Sequence, residues 1–243
     1  MKQEFKIISD LIEKNTRVLD VGCGDGILME YLKYNKEIDI RGIEISKDNV
    51  QKCLSKGLTV IEGDAEKDLL QFPDSSFDFV ILSQTLQAFL NPEIVIKELL
   101  RVGKKAIVTI PNFGFWKVRL HLLIKGTMPI TKNLPDEWYN TPNLHMCTIK
   151  DFYTFCENRK IKLESDVIVE DGFNKNKVLL KGKFKWQQSM LEKEVALKTT
   201  FIIKTDFFSI RFQRYTSNLK SKTPTYNLNS DCNVGTNERA KKE

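Results

Sequence analysis

Along the first 110 residues, apolar positions come in short blocks separated by stretches in which they recur every three or four residues. The blocks "RVLDV" (17–21), "DIRGIEI" (39–45), "LTVIEGD" (58–64), "FDFVILS" (77–83) and "KAIVTIP" (105–111) read as five buried strands. Between the first two, Ile27, Leu28, Tyr31 and Leu32 recur on one face of a helix. Ser46 stands where an N-cap belongs at the head of "SKDNVQKCLSKG", and Gly57 where a C-terminal glycine belongs. Asn91 and Pro92 open a helix through "EIVIKELLRVG", the proline at the first helical position, where its missing N–H is harmless. Farther on, "IKLESDVIVE" (161–170) and "TTFIIK" (199–204) read as two more strands, with "WQQSMLEKEVAL" helical between them. Strands separated by helix-sized segments imply parallel pairing in an open sheet with helices on both faces, an α/β fold.

Sheets of this kind bind ligands beyond the carboxyl ends of their strands, which directs attention to the loop after the first strand. That loop reads Asp20-x-Gly22-x-Gly24-x-Gly26. Its glycines permit positive φ and close backbone approach, and the helix starting near Gly26 presents unpaired N–H groups. The spacing matches neither the dinucleotide fingerprint G-x-G-x-x-G nor the P-loop, since no lysine follows. Glu44 ends the second strand and Asp64 follows the third. Three acids at the ends of three successive strands would repel a pyrophosphate. Each acid also has a plain reading: Asp20 orders the loop, Glu44 is a surface charge, Asp64 caps a turn. Cys23 fills the loop, with no cation beside it to activate a thiolate.

Composition narrows the class. The chain has 243 residues, 41% of them hydrophobic, enough for one sizeable core. Its charged start lacks a secretory h-region and no stretch is long and apolar enough to span a bilayer, so a cytoplasmic protein without a membrane partner is expected. Five cysteines, Cys23, Cys53, Cys147, Cys156 and Cys232, include no C-x-x-C pair, which fits reduced thiols and no metal site. The net charge of +6 suggests nucleic acid until it is located: residues 211–243 carry seven Lys/Arg against three Asp/Glu, leaving +2 for the rest. A domain over 1–205 and a polar, basic, disordered tail over 206–243 are therefore expected, with no nucleic-acid partner.

The glycine loop with its companions resembles the first motif of class I S-adenosylmethionine (SAM) methyltransferases. Beyond the fourth strand, "ILSQTLQ", "PNFGFW" and "LPDEWYNTPNLHMCTIKDF" are similar to the MetW family of methionine biosynthesis proteins, and the likeness extends over roughly residues 12–182. Phe115 departs from that pattern, where a polar residue is usual, and no proton-transfer role falls to it. The resemblance implies a Rossmann-like class I SAM methyltransferase fold with a seven-stranded, mostly parallel sheet whose last strand is antiparallel. It implies SAM or S-adenosylhomocysteine as cofactor, held by Asp20, Gly22, Cys23, Gly24, Gly26, Glu44, Asp64, Ala65 and Ser83. Asp64 would receive the adenine amino group. It also implies a partner, a MetX-like homoserine O-acyltransferase, whose acylation this chain would assist, with SAM reporting the level of the pathway's product.

An alternative is a working methyltransferase on a small-molecule acceptor, in which positioning dominates and a base serves only if the acceptor loses a proton. His145 and His121 are the only histidines. His145 precedes a helix capped by Thr148 and Asp151 and is the better candidate base, a structural hydrogen bond being its other reading; His121 sits among leucines on a basic helix. Tyr139 would bind an acceptor hydroxyl or, within "DEWY", plug the pocket. "SQTL" at the end of the fourth strand replaces the [ND]-P-P-[YF] tetrapeptide of enzymes that methylate amino groups of bases or glutamine. A NAD-dependent oxidoreductase is disfavoured by the glycine spacing and by Asp64. The segment 112–147 mixes Trp116, Trp138 and Tyr139 with Lys117, Arg119 and Lys125, which suits a pocket cover or a protein interface.

Overall fold

The computed structural model describes residues 3–131, 135–169 and 198–204. In chain order they form α1 (Gln3–Leu11), β1 (Arg17–Val21), α2 (Ile27–Asn35), β2 (Asp39–Glu44), α3 (Lys47–Ser55), β3 (Thr59–Glu62), α4 (Ala65–Asp68), β4 (Phe77–Ser83), α5 (Pro92–Val102), β5 (Gly103–Pro111), α6 (Trp116–Lys125), α7 (Ile149–Asn158), β6 (Lys162–Val169) and β7 (Lys198–Lys204). The seven strands make one sheet in the order β3-β2-β1-β4-β5-β7-β6. All neighbouring pairs are parallel except those of β7, which runs antiparallel to both β5 and β6. The expected doubly covered sheet with one antiparallel strand is what the chain builds. The helix expected in "WQQSMLEKEVAL" and the tail lie outside the described residues.

β1 and β4 match the sequence reading residue for residue, because both are flanked on two sides and buried on both faces. Val18 joins the cluster beneath α1 and α2 with Phe5, Ile8, Met29 and Leu32. Leu19 and Val21 face the opposite cluster, beneath α5 and α7, with Val95, Leu99, Phe152 and Phe201. Edges are less faithful. β3 is Thr59–Glu62 rather than 58–64, because it pairs only with β2 and the chain turns at Gly63, whose N–H donates to the Glu44 carbonyl at 2.9 Å. β2 stops at Glu44, leaving Ile45 exposed, and β5 begins two residues early, at Gly103. Helix α1 was not foreseen; Phe5 and Ile8, spaced by three, bury its inner face.

α7 starts on a capping box: Thr148 Oγ1 accepts from the Asp151 N–H at 3.2 Å and Asp151 Oδ2 accepts from the Thr148 N–H at 2.9 Å. Its buried face puts Phe152 and Tyr153 against the Phe201 ring of β7, centroids 4.5 and 5.4 Å away. Replacing Thr148 by alanine removes one of the two reciprocal bonds. We expect it to cost about 1 kcal/mol and lower the melting temperature by about 2–4 °C, read by thermal unfolding.

Candidate functional site

The strand order reverses between β1 and β4, and the glycine loop occupies that switch point, where open α/β sheets leave a crevice. Gly22, Gly24 and Gly26 all take positive φ, 68°, 57° and 76°. At Gly22 an added Cβ would lie 2.6 Å from Thr85 Cγ2, so the loop after β4 packs directly on it. At Gly24 a Cβ would meet nothing within 4 Å, so this glycine faces open space. The loop is fixed from beneath: the Gly22 and Cys23 N–H groups donate to the Ile43 carbonyl at 2.8 and 3.3 Å, and Cys53 Sγ donates to the Gly24 carbonyl at 3.2 Å. Gly26 is the N-cap of α2 and offers no side chain to its first turn.

Two carboxylates flank the open glycine. Glu44, 7% exposed, accepts from the Gly24 N–H through Oε2 at 2.8 Å and from the Ser46 N–H through Oε1 at 2.9 Å. Asp20, 2% exposed, has an Oδ2 with no hydrogen-bond partner among the described residues. Burial, with the Glu44 charge adding to it, raises the Asp20 carboxyl to a pKa of about 7. A buried acceptor left open in a glycine-lined crevice is a position prepared for a donor or a cation.

Other residues singled out in the sequence are placed as follows. Asp64 caps α4, accepting from the Glu66 N–H at 3.0 Å, and pairs with Lys67 Nζ at 2.8 Å, which holds its pKa below the ordinary carboxylate value. Ala65, the first residue of α4, is buried in the core. The Cys23 side chain turns inward, against Met29 and Gly42, leaving only its backbone to the loop, and burial pushes its thiol pKa up. Ser83 Oγ donates to Glu4 Oε1 at 3.0 Å, and Gln84 Nε2 donates to Glu4 Oε2 at 2.6 Å. Glu4, buried on α1, is a constituent of this end of the sheet that sequence reasoning missed; its partners lie some eighty residues away and no local pattern points to them. His145 is exposed, its N–H donating to the Gln87 carbonyl at 3.0 Å and its Nε2 lying 3.4 Å from the Leu90 carbonyl. Tyr139 is exposed in the loop before α7, its hydroxyl bonded to Glu137. His121 lies on α6, 3.3 Å from Thr127 Oγ1. The structure therefore brings Asp20, Gly22, Gly24 and Glu44 into one crevice, and among the described residues neither histidine has a buried partner acid.

Gly24→Ala tests what the open space is for. Because no protein atom obstructs the methyl group, the cost to folding is only that of a positive φ, about 1–2 kcal/mol. A ligand lying on the loop would meet the methyl directly. We expect a modest fall in melting temperature and a loss of ligand affinity of about tenfold or more, measured by thermal unfolding and calorimetric titration.

Among the described residues no group of three or more His, Cys, Asp or Glu side chains is placed to hold a metal ion, and no helix is long and apolar enough to cross a membrane.

The family model described as methionine biosynthesis protein MetW matches residues 2–197. A bifunctional methionine biosynthesis protein MetXA/MetW from Rhodopirellula baltica is 32% identical over 169 residues, covering 66% of this chain and 27% of that relative. This chain thus corresponds to little more than a quarter of that protein's length. Among solved structures, a SAM-dependent methyltransferase described as a possible histamine N-methyltransferase, from Thermotoga maritima, superposes with a TM-score of 0.58 at 18% identity, covering 84% of this chain and 87% of that one. A SAM-dependent methyltransferase from Archaeoglobus fulgidus superposes with a TM-score of 0.54 at 16% identity, over 83% and 94% of the two chains. These likenesses establish the methyltransferase fold.

Proposed function

Because this chain belongs to the MetW family, we propose that it binds SAM at the β1 loop and assists a MetX-like homoserine O-acyltransferase in methionine biosynthesis. The observation that carries the partnership is the relative in which MetXA and MetW form one polypeptide. The observation that supports the ligand is the pairing of an open Gly24 with the unpartnered Oδ2 of Asp20.

Bound there, SAM brings a sulfonium methyl group together with an ammonium and a carboxylate. In this reading Glu44, already fixed by two backbone N–H groups, accepts the ribose hydroxyls with its remaining lone pairs. Asp20 supplies negative charge beneath the loop toward the ligand's cations. The uncapped first turn of α2 receives the ligand's carboxylate, and Asp64 accepts from the adenine amino group. SAM would act as a reporter only if it bound the free and partner-bound forms with different affinities.

The test is the rate of homoserine acylation by the purified cognate acyltransferase with and without equimolar protein, followed by titration of SAM. An increase, modulated by SAM, is the expected result. An unchanged rate, in a mixture whose two proteins also fail to co-elute, overturns the accessory role.

A second reading, methyl transfer to a small acceptor, draws on the same intact crevice. Its mark is formation of S-adenosylhomocysteine in an acceptor screen. With neither histidine paired to a buried acid among the described residues, such an enzyme would work by positioning.

A further inference from the structure

A second cavity, of about 190 Å³, opens between the segment after β5 and the loop that leads into α7. Its lining includes Phe113, Met128, Asp136, Glu137, Trp138 and Tyr139, none of which belongs to the crevice at the β1 loop. The Trp138 and Tyr139 rings stand at 86° to one another with centroids 5.6 Å apart, two perpendicular aromatic walls. They are 72% and 67% exposed, so these large rings contribute little to any core and line an opening instead.

The charged side chains described in its lining are acidic. Among the described residues that line it, these are Asp136 and Glu137, and neither makes an ion pair among those residues. The Tyr139 hydroxyl donates to the Glu137 carboxylate, which orients that ring edge. Aromatic faces are negative at their centres, and the Met128 thioether is polarisable and soft. Two perpendicular aromatic walls beside two carboxylates make a surface that attracts positive charge and tolerates alkyl groups around it. An anion would be repelled. The volume is below the usual range for drug-sized ligands and admits only a small molecule.

We propose that this cavity binds a small organic ammonium ion, primary or methylated, independently of the crevice at the β1 loop. The test titrates the full chain calorimetrically with choline, with n-butylammonium, and with 3,3-dimethylbutan-1-ol, the uncharged carbon isostere of choline. At least one ammonium probe is expected to bind saturably at one site, with a preference over the isostere of about tenfold or more. Trp138→Ala and the double variant Asp136→Asn/Glu137→Gln are each expected to weaken that binding about tenfold. The melting temperature and the SAM titration of both variants serve as checks of folding and should stay at wild-type values. Equal affinity for the isostere would reduce the site to an apolar pocket and overturn the proposal. Ammonium binding indifferent to both variants, or no saturable binding of either ammonium probe, would overturn it as well. Absence of SAM binding by the unaltered chain, with ammonium binding present, would instead count against the reading of the β1 loop alone.

Discussion

Asp20→Asn is expected to flatten the pH dependence of both stability and SAM affinity between about pH 4 and pH 7. Asp20 has an ordinary pKa of 3.8 and is raised to about 7 in the folded protein by burial and by the Glu44 charge. The folded state thus holds a proton that the unfolded chain gives up. Where the native state binds more protons, stability falls as pH rises. The fall begins near pH 4, ends near pH 7, and amounts to about 4 kcal/mol if the whole shift is realised. The variant carries no proton to lose there, so the difference between the two unfolding curves measured across this range isolates the contribution of Asp20. Binding shows the opposite slope. A cationic ligand prefers the ionised carboxylate, so SAM affinity should rise about tenfold per pH unit below 7, roughly 50-fold from pH 5 to pH 7. Calorimetric titration in buffers of different ionisation enthalpy should show the accompanying proton release near pH 7. An affinity that does not change over this range would mean that Asp20 does not face the ligand's cations.

Glu44→Gln is expected to lower SAM affinity by about 100-fold or more. Both carboxylate oxygens accept backbone N–H groups, Gly24 on one side and Ser46 on the other. An amide keeps the shape but turns one acceptor into a donor, so one of those N–H groups faces another N–H in a buried place. Losing a charge-assisted bond and leaving a donor unpaired costs about 2–4 kcal/mol of folding stability, and each ribose hydroxyl that loses a charged acceptor costs about 1.5–3 kcal/mol of affinity. Calorimetric titration of the folded variant measures the loss. The substitution carries a second signature, because it removes a neighbouring negative charge from Asp20. The Asp20 titration, followed by NMR of a carbonyl-labelled chain, should move below pH 7 in the variant. An unmoved midpoint would mean that burial alone sets the Asp20 pKa.

Much of this site was legible in the sequence because its parts are short-range. The three glycines, Asp20 and the strand before them lie within ten residues, and the spacing alone told a phosphate loop from this one. Glu44 was legible because it ends a strand bounded by clear signals. Asp64 was open to two readings, and the structure shows the cap on α4 and the Lys67 pair, features that a side chain at the foot of a short helix acquires locally. What stayed hidden depends on long-range neighbours. That Ser83 would spend its hydroxyl on Glu4 requires α1 to cross the end of β4, and nothing near either residue encodes that crossing. The strand ends that were misjudged lie mainly at β2, β3 and β5, where pairing partners, rather than hydrophobic pattern, decide the last residue. The cavity beside Trp138 was visible only as an aromatic pair whose surroundings the sequence left open.

The position of β7 has a consequence for how the chain is made. Strands β1 to β5 and the helices between them form a contiguous unit in sequence and can pair as they leave the ribosome. β6 cannot dock in the same way. Its neighbour in the sheet is β7, synthesised some thirty residues later, and β7 ends between β5 and β6 with Phe201 against Phe152 and Tyr153. The β5–β7 pairing therefore comes late, whether β7 arrives alone or already paired with β6, and it is a contact of high sequence separation and correspondingly slow closure. Until residue 204 emerges, β5 remains an open edge, and a nascent chain stalled at that point presents a template for pairing with other chains.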